Sequence, residues 1–174
     1  MTILKEHIEV ARPVNEVFAY ISDFSTTEEW DSTATRADKL TPGPVAVGTR
    51  FAVTCAAPVG QIDLEYEVTD LQPNREIELK GKSRFFDICD RITFTPTDKG
   101  TRIDYRVEFM FPAPLKGLAR SFDSGLQRMG KHSMEGMRAA LEDDQPSPEV
   151  SRGNRLGDRL LLPGLAQFTR LGYI

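Results

Sequence analysis

The stretch that decides the fold runs from Thr101 to Asp144 and reads TRIDYRVEFMF, then PAP, then LKGLARSFDSGLQRMGKHSMEGMRAALEDD. Its first part alternates strictly, with Arg102, Asp104, Arg106 and Glu108 between the apolar residues Ile103, Tyr105, Val107, Phe109 and Phe111. A period of two with one apolar face predicts a half-buried antiparallel strand. Pro112 and Pro114 end this strand, because proline cannot donate a hydrogen bond to a sheet.

After the prolines the pattern changes to the period of a helix, in which one face recurs every three or four residues. This face comprises Leu115, Leu118, Phe122, Leu126, Met129, Ser133, Met137 and Leu141. The spacing predicts a helix of about 25 residues or more. A helix of that length cannot bury its apolar face against one strand, so the rest of the chain has to supply a wide sheet.

The overall composition indicates a soluble globular protein. The 174 residues suffice for one domain with an appendage, and 40% hydrophobic with 28% charged residues is ordinary for this class. A net charge of −4 argues against a nucleic-acid partner, because a protein that binds phosphates needs a basic surface. The sequence contains no apolar run of about 18 residues, so no transmembrane segment is expected.

The N-terminus and the cysteines predict the compartment. MTILKEHIEV alternates and contains acidic residues, unlike a signal peptide. Cys55 and Cys89 form no disulfide framework, and their strand positions predict that Cys55 faces inward and Cys89 outward. We therefore expect both thiols to be reduced and the protein to be cytoplasmic.

The rest of the chain predicts one strand, two short helices and further strands. Residues 2–10 alternate, residues 14–21 form a short apolar stripe, and a second short helix is expected at residues 28–30. From Thr49 onward, alternating segments are separated by turn sequences, one of them Gly81-Lys82-Ser83. The predicted fold is α+β: a curved antiparallel sheet of about seven strands around the long C-terminal helix. The space between sheet and helix is a candidate ligand cavity.

Several sequence segments resemble the polyketide cyclase/dehydrase-like branch of the START/Bet v 1-like (SRPBCC) superfamily, whose fold is called helix-grip. The similar segments are ARPVNEVFAYISDF with EEW at Glu28–Trp30, VGTRF at Val47–Phe51, and GTRIDYRVEF at Gly100–Phe109. The resemblance covers about residues 1–143. It implies roles that range from lipid carriers and plant hormone receptors to aromatic-polyketide cyclases and metal-containing hydroxylase subunits, and fold alone does not choose among them.

Asp90 is the most informative polar residue. It shares its strand face with Phe86, Ile88, Ile92 and Phe94, so it is predicted to point at the apolar side of the sheet. A carboxylate there is costly unless it is paired or solvated, which makes it a candidate ligand anchor or general acid/base. The structural alternatives are an internal arginine or a helix N-terminus that pairs with the carboxylate, or a β-bulge that turns it outward.

The other candidate ligand-binding residues are aromatic or apolar. Tyr66 and Tyr105 share the inner face and each can present a hydroxyl to a ligand, or be ordinary core. Trp30, the only tryptophan, either stacks on a ligand at the cavity mouth or locks the short helices to the sheet. In the long helix, Gly125 adjoins the apolar face and would leave volume for a ligand. The remaining candidate lining residues are Phe51, Phe109, Phe122 and Met129.

Several chemistries have no support in the sequence. His7 and His132 are the only histidines, and neither falls in a grouping typical of zinc or iron sites, so no metal is predicted. Gly81-Lys82-Ser83 mimics the end of a P-loop, but Glu76 stands where its first glycine belongs. No dinucleotide fingerprint or nucleophile elbow occurs, and no cofactor is expected.

The C-terminal segment is predicted to be a separate appendage. Gln145-Pro146-Ser147-Pro148 reads as a linker between a ligand-binding domain at residues 1–144 and an amphipathic basic tail that completes residues 145–174. This tail is too apolar for a free tail, and we expect it to dock on its own domain, a second copy or a partner protein, with an anionic membrane surface as the alternative. It also resembles connectors that join such domains to a reductase.

Three functions follow as expectations. The first is binding of a small hydrophobic molecule, lipid-like or aromatic and polyketide-like, between sheet and long helix. The second is a cyclase or dehydratase in which Asp90 and a cavity tyrosine move protons. The third is an interaction module that associates through its C-terminal tail.

Overall fold

The computed structural model describes residues 2–57, 60–113 and 116–143, without the side chains of residues 116–124 and 126. Within these ranges seven strands and three helices follow one another, with a 3-10 turn at Phe24–Thr26 before the second helix. In chain order they are β1 (Thr2–Val10), α1 (Val14–Ser22), α2 (Thr27–Trp30), β2 (Ala34–Lys39), β3 (Arg50–Ala56), β4 (Gln61–Gln72), β5 (Glu76–Lys82), β6 (Asp87–Thr97), β7 (Gly100–Met110) and α3 (Lys116–Asp143).

The strands form one antiparallel sheet in the order β1-β7-β6-β5-β4-β3-β2. Consecutive strands from β2 to β7 are neighbours, and β1 pairs with β7, so the first strand closes the sheet beside the last. The sheet is curled into a half-barrel, and the predicted helix-grip fold is confirmed. The predicted tail, residues 145–174, lies outside the described residues, and its docking stays a prediction.

The long helix packs on β1 and on α2. In its second half Met137, Leu141 and Ser133 of the predicted face are buried, and so is Met134, which the helical pattern did not include. Gly136 allows a close approach, because a Cβ atom there would lie 2.3 Å from the carbonyl oxygen of Trp30. Glycine at this position therefore lets α2 pack closely against α3.

Two local predictions were wrong. The segment predicted as a turn at Gly81 belongs to β5, and the chain turns later, where the Ser83 amide donates to the Phe86 carbonyl. Ser25 and Glu28 have the spacing that predicts a capping box for the second short helix, but this box does not form; instead, the Asp23 carboxylate accepts from the Ser25 amide. In both cases a residue type common in turns or caps serves a different local contact.

The two faces of the sheet differ in chemistry. The inner face, which carries Asp90, is built from apolar residues that form the core with the helices. The outer face carries ion pairs between partly exposed side chains, such as Arg102 with Asp104 at 2.7 Å and Arg106 with Glu108 at 2.6 Å. No helix within the described ranges is long and apolar enough to cross a membrane.

Candidate functional site

The candidate site is centred on Asp90, in the middle of β6. Its cross-strand neighbours are Val107 on β7 and Leu79 on β5, and its side chain points to the inner face with only 1% of the residue exposed. The strand alternation that placed Asp90 among apolar residues is therefore confirmed. No inward arginine or β-bulge relieves it within the described residues.

Among the described residues, one oxygen of this carboxyl has a hydrogen-bond partner and the other has none. The Tyr105 hydroxyl donates to Oδ1 at 2.9 Å. Oδ2 is buried and has no hydrogen-bond partner among the described residues. The Tyr66 hydroxyl approaches the same carboxyl and favours its charged form, but it does not complete a hydrogen bond to Oδ2. A buried acceptor without a donor is unusual and costly.

Burial raises the pKa of Asp90 to about 7, because the charged form loses its hydration. The hydrogen bond from Tyr105 and the nearby Tyr66 hydroxyl lower this pKa and the negative charge of Asp31 raises it, but these effects are smaller than that of burial. Burial also raises the pKa of both tyrosines, and the charge of Asp90 adds to this rise. At neutral pH, Asp90 can therefore both accept and release a proton, while Tyr66 and Tyr105 remain protonated donors.

Gly81 makes the approach of Tyr66 possible. It lies on β5 between Tyr66 on β4 and Ile88 on β6. A Cβ atom at position 81 would come within 2.6 Å of the Tyr66 ring and 2.5 Å of Ile88 Cγ2. The absence of a side chain on β5 thus lets the tyrosine ring lean across this strand towards Asp90.

Aromatic rings connect the carboxyl to the short helices. Trp30 is 2% exposed, and its ring lies 6.4 Å from that of Tyr105 in an edge-on arrangement. Its indole nitrogen donates to Thr26 Oγ1 at 3.2 Å. Phe24 packs against Tyr66 at 5.3 Å and against Phe51 at 6.0 Å. Trp30 therefore connects the short helix α2 to the sheet. It also lies beside Tyr105, whose hydroxyl is bonded to Asp90.

The remaining predicted residues lie elsewhere. Phe109 stacks at 6.4 Å on Phe111, and Phe86 contacts both rings, so these three form a second aromatic cluster at the other end of the inner face. Met129 is half-buried, and the side chain of Phe122 lies outside the description. Around Asp90 the structure thus brings together Trp30, Phe51, Tyr66 and Tyr105.

Sequence reasoning missed Asp31. Its Oδ1 accepts from the Thr33 amide at 2.9 Å, the Thr33 hydroxyl at 2.8 Å and the Ser133 hydroxyl of α3 at 3.1 Å. Burial raises the pKa of the Cys55 thiol to about 11, and the negative charge of Asp31 contributes to this rise as it does to that of Asp90. Asp31 lies between α2 and β2, where no strand or helix period indicates which way a side chain points.

Part of the apolar inner face remains partly exposed. These residues pack against the core without being fully covered: Cys55, Ile62, Phe86, Tyr105, Val107 and Phe111. Two open clefts of about 420 and 410 Å³ lie elsewhere, one lined by Tyr20, Glu29, Ala140 and Asp143, the other between β1 and Gln127 of α3. Within the described residues, no group of histidine, cysteine or acidic side chains is arranged to hold a metal ion.

Residues 1–142 match the family described as polyketide cyclase / dehydrase and lipid transport. The chain belongs to this family. No curated protein matches it. A solved structure of a Mesorhizobium loti protein is 18% identical, with a TM-score of 0.62 over 83% of this chain and 99% of that one. A START superfamily protein of Mycobacterium smegmatis is 15% identical, with a TM-score of 0.61 over 81% of this chain and 94% of its own.

A third solved structure, that of Ara h 8.0201, is 10% identical, with a TM-score of 0.60 over 82% of this chain and 98% of that one. At these identities the likeness establishes the fold alone. Together with the family match it confirms the START/Bet v 1-like resemblance.

Proposed function

We propose that the protein binds a small, mainly apolar molecule on the inner face of the sheet. The observation that carries this proposal is the partly exposed apolar surface of Tyr105, Val107 and Phe111, which borders a buried carboxyl with an unused acceptor. An apolar wall with few polar groups is typical of small-molecule sites. The ligand class agrees with the family description, which names polyketide cyclases and lipid transport.

A neutral fluorescent probe tests this binding in the full chain. Nile red should bind with a rise in fluorescence, and dodecanol should displace it. Val107→Gln places an amide on the partly exposed inner wall and should weaken Nile red binding by about tenfold or more, because burying an amide without partners is costly. Arg106→Gln, the next residue on the outer face, should bind as the wild type does.

Urea unfolding of both variants would establish that they are folded. The absence of Nile red binding to the wild-type chain, together with the absence of bound ligand after incubation with dodecanol and native mass spectrometry, would contradict the proposal. Equal Nile red affinity of the Val107 variant and the wild type would show that the binding site does not include this wall.

A second candidate function is proton-transfer catalysis on a bound ketide, as in a cyclase or dehydratase. The observation that favours it is the hydrogen bond between Asp90 and Tyr105, together with an Asp90 pKa of about 7. A general acid or base works best when its pKa is close to the working pH. Asp90 would take the proton next to a carbonyl, and a tyrosine hydroxyl would donate a hydrogen bond to the carbonyl oxygen.

Asp90→Asn distinguishes the two functions. If the protein is an enzyme, this variant should lose turnover of a β-hydroxy ketone while it retains Nile red binding, and the wild-type rate should depend on a group with a pKa near 7. If the wild-type chain binds such a ketone without converting it, the protein acts as a carrier for this class of compound.

A further inference from the structure

We propose that the inner face selects apolar ligands that carry a basic nitrogen, and that this nitrogen pairs with Oδ2 of Asp90. The inference rests on the proposed binding function and adds a ligand class to it. An ammonium group can donate to Oδ2, and an apolar chain can lie along the partly exposed inner wall. A ligand that ends in a carboxylate is disfavoured in the same position.

The first argument is the unused acceptor. Oδ1 of Asp90 is bonded to Tyr105, whereas Oδ2 is buried and lacks a donor among the described residues. A ligand group that donates a hydrogen bond would satisfy this oxygen, and a charged donor would form the stronger bond. A ligand that only accepts hydrogen bonds leaves the ionised carboxyl unsatisfied.

The second argument is the sign of the charges around the carboxyl. The titratable groups that act on Asp90 or are affected by it lie on several elements: Tyr105 on β7, Tyr66 on β4, Cys55 on β3, Cys89 on β6 itself, and Asp31 before β2. Glu6 lies opposite Tyr105 on β1 and is also an acid. Aspartate, glutamate, cysteine and tyrosine side chains carry no positive charge in either protonation state.

No cation acts on Asp90 in the part of the chain that the structure describes. The nearby basic side chains point to the outer face, where Arg106 pairs with Glu108 and Arg91 pairs with Glu78. A positive ligand group would therefore supply the missing counter-charge. A carboxylate would instead add a negative charge next to Asp31 and Asp90.

The third argument is the aromatic surrounding. Trp30 and Tyr105 lie with their ring centres 6.4 Å apart, and Tyr66 contacts Phe24 at 5.3 Å. Aromatic faces attract cations, and more strongly where water is excluded. The donors on these rings already have partners: the two tyrosine hydroxyls act on Asp90, and the indole nitrogen of Trp30 donates to Thr26.

Competition with Nile red in the full chain tests the selectivity. Dodecylamine, dodecanol and dodecanoate have the same chain length and are used below their critical micelle concentrations at pH 8, where Asp90 is ionised. We expect dodecylamine to displace the probe at a concentration about tenfold or more below that of dodecanoate, with dodecanol between them. At pH 5.5, where Asp90 is protonated, this ratio should shrink.

Two variants separate Asp90 from the net negative charge of the chain. Asp90→Asn should bring the ratio of amine to carboxylate affinity close to one. Asp104→Asn removes the same charge from the outer face and should leave the ratio unchanged.

Each other outcome has a defined meaning. Equal affinity for dodecylamine and dodecanoate in the wild type, or an equal fall of the ratio in both variants, would overturn the selectivity and leave the proposed binding function intact. If neither Nile red nor any of the three compounds binds, the proposed function itself fails.

Discussion

Asp90 and Asp104 lie on adjacent strands and show how differently the two faces of this sheet treat the same side chain. Asp104 is on the outer face with 44% of its side chain exposed, and the hydrogen bonds and charge of Arg102 lower its pKa. Asp90 is on the inner face with 1% exposed, and burial raises its pKa to about 7. Asp104 is partly exposed and pairs with a cation, whereas Asp90 is buried and has no cationic partner among the described residues.

This difference separates a charge on the solvated surface from one that is buried. The outer ion pairs keep a solvated surface in place and contribute little each, because water screens them. The inner carboxyl costs stability whenever it is ionised. A residue whose burial lowers the stability of the fold is a candidate for binding or proton transfer.

The largest expected effect is on the pH dependence of stability. Asp90 stays protonated in the folded chain up to about pH 7, whereas in the unfolded chain it ionises near 3.8. Between these values the folded state binds more protons, so the free energy of unfolding falls as pH rises, by about 4 kcal/mol in all. Asp90→Asn should remove this fall. The free energy of unfolding of the variant should therefore increase relative to that of the wild type from pH 4 to pH 7.

Urea unfolding at a series of pH values measures this difference. Asp104→Asn is the control, and it should lose less than about 1 kcal/mol because its ion pair is partly exposed. A constant difference between Asp90→Asn and the wild type across this pH range would show that Asp90 is not a buried, uncompensated acid.

The second expected effect comes from Gly81. Gly81→Ala would force the Tyr66 ring and Ile88 apart, because the new Cβ atom lies under 3 Å from both. Overpacking of this kind costs about 1–3 kcal/mol. Lys80→Ala, on the outer face of the same strand, should change the unfolding free energy by less than about 0.5 kcal/mol. Equal effects of the two substitutions would argue against the close approach of Tyr66.

The smallest expected effect is that of an outer ion pair. Arg91 contacts Glu78 and Glu76 but is 50% exposed. Arg91→Ala should therefore lower the unfolding free energy by less than about 1 kcal/mol, and 1 M salt should reduce the difference further. A loss above about 2 kcal/mol that salt does not change would show that the outer charges are more than a solvated surface.

The sequence predicted the sheet and the inward position of Asp90 because strands alternate with a period of two. β2 was not located, since its segment ATRADK offers only Ala34 and Ala37 to the core. Those two residues lie three positions apart, and a register shift against β3 breaks the alternation there.

Tertiary contacts set the limits of the site prediction. Gly81 was predicted to be a turn residue. The close approach of the Tyr66 ring on the neighbouring strand, which requires a glycine there, cannot be seen in the local sequence. Asp31 was missed because its hydrogen bond to Ser133 joins residues far apart in the chain. For Trp30, the sequence left open whether it faces a ligand or fixes the helices, and the structure shows its contact with Tyr105 and its bond to Thr26.

The most direct test of the central claim is an NMR titration of the side-chain carboxyl carbons of the full chain. In one spectrum, Asp90 should titrate with a pKa of about 7, while the pKa of Asp104 should lie below the ordinary aspartate value of 3.8. If Asp90 titrates at or below that ordinary value, a compensating partner is present, and both the uncompensated inner carboxyl and the ligand class inferred from it are wrong.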